Sequence, residues 1–287
     1  MKKHLLLIMI LWSGIKSEPI QLIVRADDIG SFHAANIACI ESFRNGVVRT
    51  VEVMVPCPWF NEAAELLRRN PGLDVGVHLT LTSEWEYVKW RPITPVTSFV
   101  DALGNFMPLT SQAEGYPQGS GFLQSGYDLT EVENELRAQI EIALKEIPQV
   151  SHLTAHMGTA TCMPDLKAVV TKLASEYELP LELPVEPRRF RPWTKPSTAE
   201  EKIDAMVKGL QQLKPGLALF VEHPAKNWPE MAMVGHLRSW DIALDRDGVT
   251  RAFTDKRVLE VIQARGIQLM SYKQVLEKYS QAAADTP

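Results

Sequence analysis

The sequence "IVRADDIGSF", residues 23–32, is an apolar strand pattern that ends in two adjacent carboxylates, Asp27 and Asp28. Because side chains on a strand alternate between its two faces, a regular strand would point these carboxylates in opposite directions. Two like charges this close also raise each other's pKa unless a positive charge lies between them. We therefore expect a bound cation near this pair, and a strand that ends or bulges there.

Six further runs of apolar and β-branched residues resemble the first strand, and helical patterns separate them. Short apolar runs that alternate with helices are typical of parallel strands covered by helices. About seven such units favour an α/β fold, an irregular (β/α) barrel of about seven strands, over an open doubly wound sheet. After "IQLIVRA", the runs are "VVRTVEVMV", "LDVGVHLTL", "VSHLTAH", "LPLELPV", "GLALFVEH" and "GIQLMSY".

Helix boundaries are indicated by capping patterns. Thr130 with Glu133, and Thr198 with Glu201, match the capping box of a helix N-terminus. Gly266 follows "DKRVLEVIQAR" at the position of a C′ glycine. No glycine-rich nucleotide loop follows the first strand, which argues against the usual nucleotide-binding folds.

The first 17 residues have the layout of a secretory signal peptide, with a basic start, an apolar run from Leu5 to Trp12, and then small and polar residues. That run is shorter than the roughly 20 residues of a membrane-spanning helix. We expect residues 18–287 to form one domain, periplasmic or secreted and without a membrane anchor. The net charge of −5 makes nucleic acid a poor partner. Three cysteines without C-x-x-C spacing indicate neither a disulfide framework nor a thiolate zinc cluster.

Histidines stand at the predicted ends of several strands, among them His78, His156 and His223. In a barrel, the carboxyl ends of the strands face one mouth, where Asp27 and Asp28 also lie. One carboxylate with two imidazoles is a common way to hold a catalytic divalent ion. We expect one aspartate to bind the metal and the other to accept a proton from the attacking water.

Several short motifs occur together in a fixed order. They are "RADDIG", then Asn36 and "NGVVRTVEVMV", then "VGVHLTL", "SHLTAH", "VEHP" and a tail from "RAFTDKRVLEVI" to "GIQLMSYKQVL". This combination resembles the YdjC-like carbohydrate deacetylase family, which includes chitooligosaccharide deacetylase-like proteins. The resemblance covers most of the chain after residue 17 and implies an irregular (β/α) barrel that removes acetyl groups from N-acetylated amino sugars.

The resemblance also implies roles for individual residues. Asp28, His78 and His156 match the metal ligands of the family, and Asp27 matches its general base. His223 is our choice for the acid that protonates the leaving amine. Zinc is the first choice of metal, while Mg²⁺, Mn²⁺, Co²⁺ and Ni²⁺ also accept mixed nitrogen and oxygen ligands.

The chain departs from the family pattern in the "SHLTAH" segment. Thr154 stands where the familiar form has an aspartate, and Gly158 where it has a further histidine. Such neighbours of metal ligands matter about ten- to a hundredfold for metal affinity or activity. Two alternatives therefore stay open: a hydrolase of another amide or ester, and a catalytically weak carbohydrate-binding protein.

Residues 83–128 lack clear periodicity and are rich in aromatic residues, which favours a functional loop. Trp85 and Trp90 in this loop are candidates for stacking against a sugar ring, although local packing is the alternative. Arg25 and Arg188 are the other predicted substrate-binding residues, and either could instead form a salt bridge. We expect a structural role for His152. The oligomeric state stays open, with a homodimer as one option.

Overall fold

Seven parallel strands and eight α-helices alternate in the part of the chain that the computed structural model describes, which is residues 18–194, 197–235 and 241–284. The predicted signal peptide lies outside these residues. The strands are β1 Ile20–Ile29, β2 Thr50–Val53, β3 Asp74–Leu79, β4 Val150–Ala155, β5 Arg188–Arg189, β6 Gly216–Glu222 and β7 Gln268–Met270. The helices are α1 His33–Arg44, α2 Phe60–Arg68, α3 Leu129–Glu146, α4 Pro164–Glu176, α5 Ala199–Gln212, α6 Ile242–Thr254, α7 Lys256–Ala264 and α8 Tyr272–Ala284.

Strand β1 is the centre of the sheet, whose order is β4-β3-β2-β1-β6-β5. One side of β1 pairs with β6 along its length. The other side pairs with β7 at Gln21–Ile23 and with β2 from Arg25 onward. Within the described residues, no ladder joins β4 to β5, so the barrel is irregular. The predicted α/β fold with about seven strands is confirmed.

The end of β1 contains the expected bulge. From the pair Ala26–Val51 to the pair Ile29–Val53, β1 advances three residues while β2 advances two. Asp28 takes up the extra residue with a left-handed backbone, φ +72°. Because the bulge breaks strict alternation, both carboxylates turn toward the same end of the sheet.

One predicted strand and one predicted cap are wrong. Residues 179–185 form no strand, since Pro180 and Pro184 lack the N–H groups that a ladder needs; the neighbour of β6 is instead the two-residue β5. Helix α3 begins one residue before Thr130, with Asp128 as its N-cap, because the Asp128 carboxylate accepts hydrogen bonds from two first-turn N–H groups.

The other predicted helix ends are confirmed. Thr198 and Glu201 form a capping box at the start of α5. Gly266 follows α7 with φ +60°, as a C′ glycine does.

Cys39, Cys57 and Cys162 are all free thiols. Among the described helices, none has the length and apolar character needed to cross a bilayer.

The segment between β3 and α3 is irregular but packed. Its phenylalanines Phe99, Phe106 and Phe122 are fully buried, and the rings of Phe99 and Phe106 stack with centroids 6.0 Å apart. The aromatic content that drew attention to residues 83–128 is therefore largely the core of the loop itself. Hydrogen-bond contacts of Thr82 and Thr110 with Thr159, in the segment that follows β4, place the loop beside the carboxyl end of β4.

Candidate active site

Three buried side chains from three strand ends converge at one point. Asp28 is at the β1 bulge, His78 is near the end of β3, and His156 directly follows β4. One ligand atom from each lies within 4.8 Å of the others. Asp28 Oδ1 is 3.8 Å from His78 Nε2 and 3.4 Å from His156 Nδ1. The structure thus brings together the three residues that the sequence proposed as metal ligands.

The two oxygens of Asp28 have different surroundings. Oδ2 accepts a hydrogen bond from Arg246 Nη2 at 2.9 Å. Oδ1 is buried and accepts no hydrogen bond from the described residues. Burial alone would raise the pKa of Asp28, but His223, His156 and Arg246 outweigh it and hold that pKa well below its usual range. A buried, ionised oxygen without a donor, facing two imidazoles, fits a divalent cation.

His78 is held as a neutral imidazole. Its Nδ1 lies 2.8 Å from Thr154 Oγ1, while its Nε2 faces Asp27 and Asp28. Burial lowers the pKa of His78 to about 4, and the adjacent carboxylates offset only part of that effect. A neutral imidazole is the form that ligates metals.

His156 contacts a carboxylate on each side of its ring. Nε2 lies 3.0 Å from Glu84 Oε2, and Nδ1 faces Asp28. Burial lowers the pKa of His156, but Glu84 and Asp28 outweigh burial and raise it to about 10. Glu84 therefore fixes the ring so that Nδ1 points into the triad, as carboxylate partners do for metal-binding histidines.

Asp27, the other acid of the pair, is held by Arg25. Its two oxygens accept a forked hydrogen bond from Arg25, with Nε to Oδ1 at 2.8 Å and Nη2 to Oδ2 at 2.9 Å. Arg25 Nη1 in turn donates to the hydroxyl of Tyr272 at 3.0 Å. Asp27 Oδ2 is 3.7 Å from His78 Nε2, so the oriented carboxylate borders the triad. Arg25 thus positions Asp27, and its guanidinium is already engaged by protein groups.

His223 lies one residue past the paired positions Ala26 and Glu222, so it leaves the sheet level with Asp27. Its half-buried ring lines a cavity of about 390 Å³ together with Trp193, Lys202 and Asp245. A second cavity, of about 500 Å³, is lined by Glu84. The two cavities thus border groups beside the triad, one at His223 and the other at Glu84, the partner of His156.

Three of the residues predicted to bind substrate do not present a free surface to it. Trp85 and Trp90 are only 5% and 2% exposed, and Trp90 Nε1 donates to Thr82 O. Their rings face Arg246 and His156 instead, which is at odds with stacking against a sugar. Arg188 donates to Lys214 O and Pro215 O at the opposite end of β6 from His223.

Glu52, Glu84 and Arg246 surround the triad but were not identified from the sequence. Glu52 could have been recognised from the sequence, because it is an acid within the apolar run of strand β2, where the structure buries it fully. Arg246 could not have been recognised, since a single arginine in the amphipathic helix α6 resembles many surface residues. His152 has the structural role that we expected, with Nε2 2.9 Å from Glu52 Oε1 and its ring stacked on Tyr272.

Two curated proteins are similar in sequence to part of this chain. Over 158 residues the chain is 37% identical to a carbohydrate deacetylase of Thermus thermophilus, covering 55% of this chain and 51% of that protein. Over 168 residues it is 35% identical to a chitooligosaccharide deacetylase of Yersinia enterocolitica, covering 56% and 58%. The chain thus matches little more than half the length of these curated relatives.

One solved structure resembles the whole fold. A candidate cellobiose-phosphate cleavage protein from Enterococcus faecalis V583 superposes with a TM-score of 0.69 at 27% identity, covering 89% of this chain and 98% of that one. Residues 21–264 match the sequence model of a family that is described as YdjC-like protein. This span includes the three residues of the triad together with Asp27 and His223. This chain belongs to the YdjC-like protein family.

Proposed function

We propose that this protein is a metal-dependent hydrolase that removes acetyl groups from N-acetylated amino-sugar oligosaccharides. The observation that carries the proposal is the buried triad in which Asp28 Oδ1, which has no well-formed hydrogen bond to the described residues, faces His78 Nε2 and His156 Nδ1. The two relatives named for deacetylation of carbohydrates and chitooligosaccharides support the substrate class.

Asp28, His78 and His156 would hold the divalent ion, with Zn²⁺ as the first choice for two imidazoles and a carboxylate. When bound, such an ion polarises an amide carbonyl and lowers the pKa of water. The three side chains are each at most 3% exposed, so packing holds their donor atoms in place.

Asp27 and His223 divide the proton transfers between them. Asp27, oriented by the Arg25 fork, accepts a proton from the water whose oxygen attacks the acetyl carbon. His223, on the neighbouring strand end, donates a proton to the amide nitrogen as the carbon–nitrogen bond breaks. The products are acetate and the free amine.

We assign the cavities lined by Glu84 and by His223, two groups beside the triad, to the sugar units on each side of the reacting amide. This arrangement suits an oligosaccharide better than a single sugar. We further propose that the chain is exported by its N-terminal segment and works in the periplasm or outside the cell as one domain.

The test is acetate release from N-acetylglucosamine oligomers by Zn²⁺-reconstituted protein, compared with its Asp27→Asn variant. We expect acetate from the wild type and a loss of at least about a hundredfold in Asp27→Asn, with metal content retained. The matched control is Asp204→Asn, whose side chain is 69% exposed on α5. If the wild type holds stoichiometric metal and releases no acetate, the substrate assignment is wrong, and an ester, another amide or sugar binding alone takes its place.

A further inference from the structure

A chain of buried hydrogen bonds runs behind His78, away from the metal ligands. His78 on β3 contacts Thr154 on β4, with Nδ1 and Oγ1 2.8 Å apart. Thr154 Oγ1 donates to Glu52 Oε2, on β2, at 2.5 Å. Glu52 is fully buried, and Thr154 is 8% exposed. Three adjacent strands thus each supply one member of this chain, which ends at a carboxylate.

The direction of each hydrogen bond follows from the number of protons available. The threonine hydroxyl has one proton, and the Glu52 carboxylate can only accept it. Thr154 Oγ1 must therefore accept from His78, so the proton of the neutral imidazole lies on Nδ1. The lone pair on Nε2 is then free and faces Asp28, 3.8 Å away.

Glu52 is fixed by groups on its other side. His152 Nε2 lies 2.9 Å from Glu52 Oε1, and Arg25 Nε is 3.7 Å from the same oxygen. Room for this arrangement depends on Gly76, the β3 neighbour of Glu52. A Cβ built at Gly76 would lie 2.1 Å from Glu52 Oε2 and 2.5 Å from His152 Nε2. Because Gly76 has no side chain, β3 leaves space for the Glu52 carboxylate at this buried position.

We propose that Glu52, acting through the hydroxyl of Thr154, is a positioning residue that holds His78 in its Nδ1–H tautomer. Its catalytic meaning rests on the proposed function, because the tautomer matters there for presenting Nε2 to a metal ion. The arrangement itself exists in the protein without metal and can be tested without it.

The test is long-range ¹H–¹⁵N NMR of metal-free, ¹⁵N-histidine-labelled protein near pH 7. We expect His78 to show a protonated Nδ1 and an unprotonated Nε2 in the wild type and in Thr154→Ser, which keeps the hydroxyl. Thr154→Val keeps the shape but removes the hydroxyl, and there we expect the single tautomer to be lost. A wild-type His78 protonated at Nε2, or a folded Thr154→Val with an unchanged tautomer, would overturn the proposal.

Co²⁺ titration of the same variants provides a second readout. We expect Thr154→Val to bind Co²⁺ about ten- to a hundredfold more weakly and Thr154→Ser to stay within about threefold of the wild type. Equal Co²⁺ affinity in all three proteins contradicts the proposal. Acetate release by the wild type is scored separately: its absence beside the expected tautomer refutes the deacetylase and leaves the role of Glu52 standing.

Discussion

Arg246 Nη2 donates to Asp28 Oδ2 at 2.9 Å, a contact that joins helix α6 to the bulge of β1 across 218 residues of chain. Because this guanidinium occupies one carboxylate oxygen, the other is left for a ligand. The Arg246 side chain lies over the ring of Trp85, 5.2 Å from its centroid, which keeps the pair out of solvent. The orientation of the Asp28 carboxylate therefore depends on a residue from a distant helix.

Replacing Arg246 with Gln leaves the buried Asp28 carboxylate without its charged partner. We expect the metal-free protein to lose about 3 kcal/mol of unfolding free energy, as is typical when one member of a buried ion pair is removed. Urea unfolding in the presence of a chelator measures the change. The matched control is Arg251→Gln, at an exposed position of the same helix, and a loss of equal size there would contradict the assignment.

Acid should destabilise the metal-free protein through His78. Its pKa is lowered to about 4 by burial, against 6.5 for an unburied histidine, so the unfolded chain binds more protons between these values. The unfolding free energy should therefore fall as the pH drops from about 6.5 to about 4, by up to roughly 3 kcal/mol from this group. Urea unfolding across this range should show a shallower slope for His78→Gln than for the wild type, and equal slopes would refute the prediction.

Metal binding should release a proton from His156. Burial lowers the pKa of this histidine, but Glu84 outweighs burial and the pKa is about 10, so the ring is protonated at neutral pH in the metal-free protein. We expect Co²⁺ affinity to rise about tenfold per pH unit below that value. Glu84→Gln should flatten the dependence, whereas Glu86→Gln, in the same cavity, should keep it. Calorimetry in buffers of different ionisation enthalpy counts the protons.

In the metal-free protein, the raised pKa of His156 makes the folded state less stable as the pH rises. The stabilisation from His156 with its carboxylate partners is complete below about pH 6.5 and is lost as the pH rises toward 10. The combined contribution of His78 and His156 to the stability of the metal-free protein is therefore greatest near pH 6.5.

Gly76→Ala should disturb the carboxylate behind His78. The new methyl group would overlap Glu52 Oε2 and His152 Nε2, so the strand or the carboxylate must move. We expect a loss of about 1–3 kcal/mol in unfolding free energy, with weaker metal binding. Gly72→Ala is the matched control, because a Cβ there meets its nearest heavy atom, of Phe43, at an ordinary 3.6 Å. Similar losses in both variants would argue against a specific clash.

The sequence was sufficient to predict that Asp28, His78 and His156 come together, because they lie at the carboxyl ends of β1, β3 and β4, and parallel strands bring such ends together. The bulge at Asp28 was also predictable, since two buried acids in succession cannot both serve a regular strand. Contacts made across the fold were not predictable. Thr154 appeared to be a lost carboxylate, and only the pairing of β2, β3 and β4 shows Glu52 beside it. The burial of Trp85 and Trp90 in the 83–128 loop was likewise not predictable, because it depends on how the loop packs.

The order of the strands places the three residues of the triad at different distances from the edge of the sheet. β1, which holds Asp28, is paired on both sides, whereas β4, which precedes His156, is one of the two edge strands of the described sheet, with β5 at the other edge. Beyond β4 the chain turns through two left-handed residues, Met157 and Gly158. Edge segments open more often than central strands. Amide exchange should therefore be slower around Asp28 than around His156, so the His156 side of the triad is the first to open.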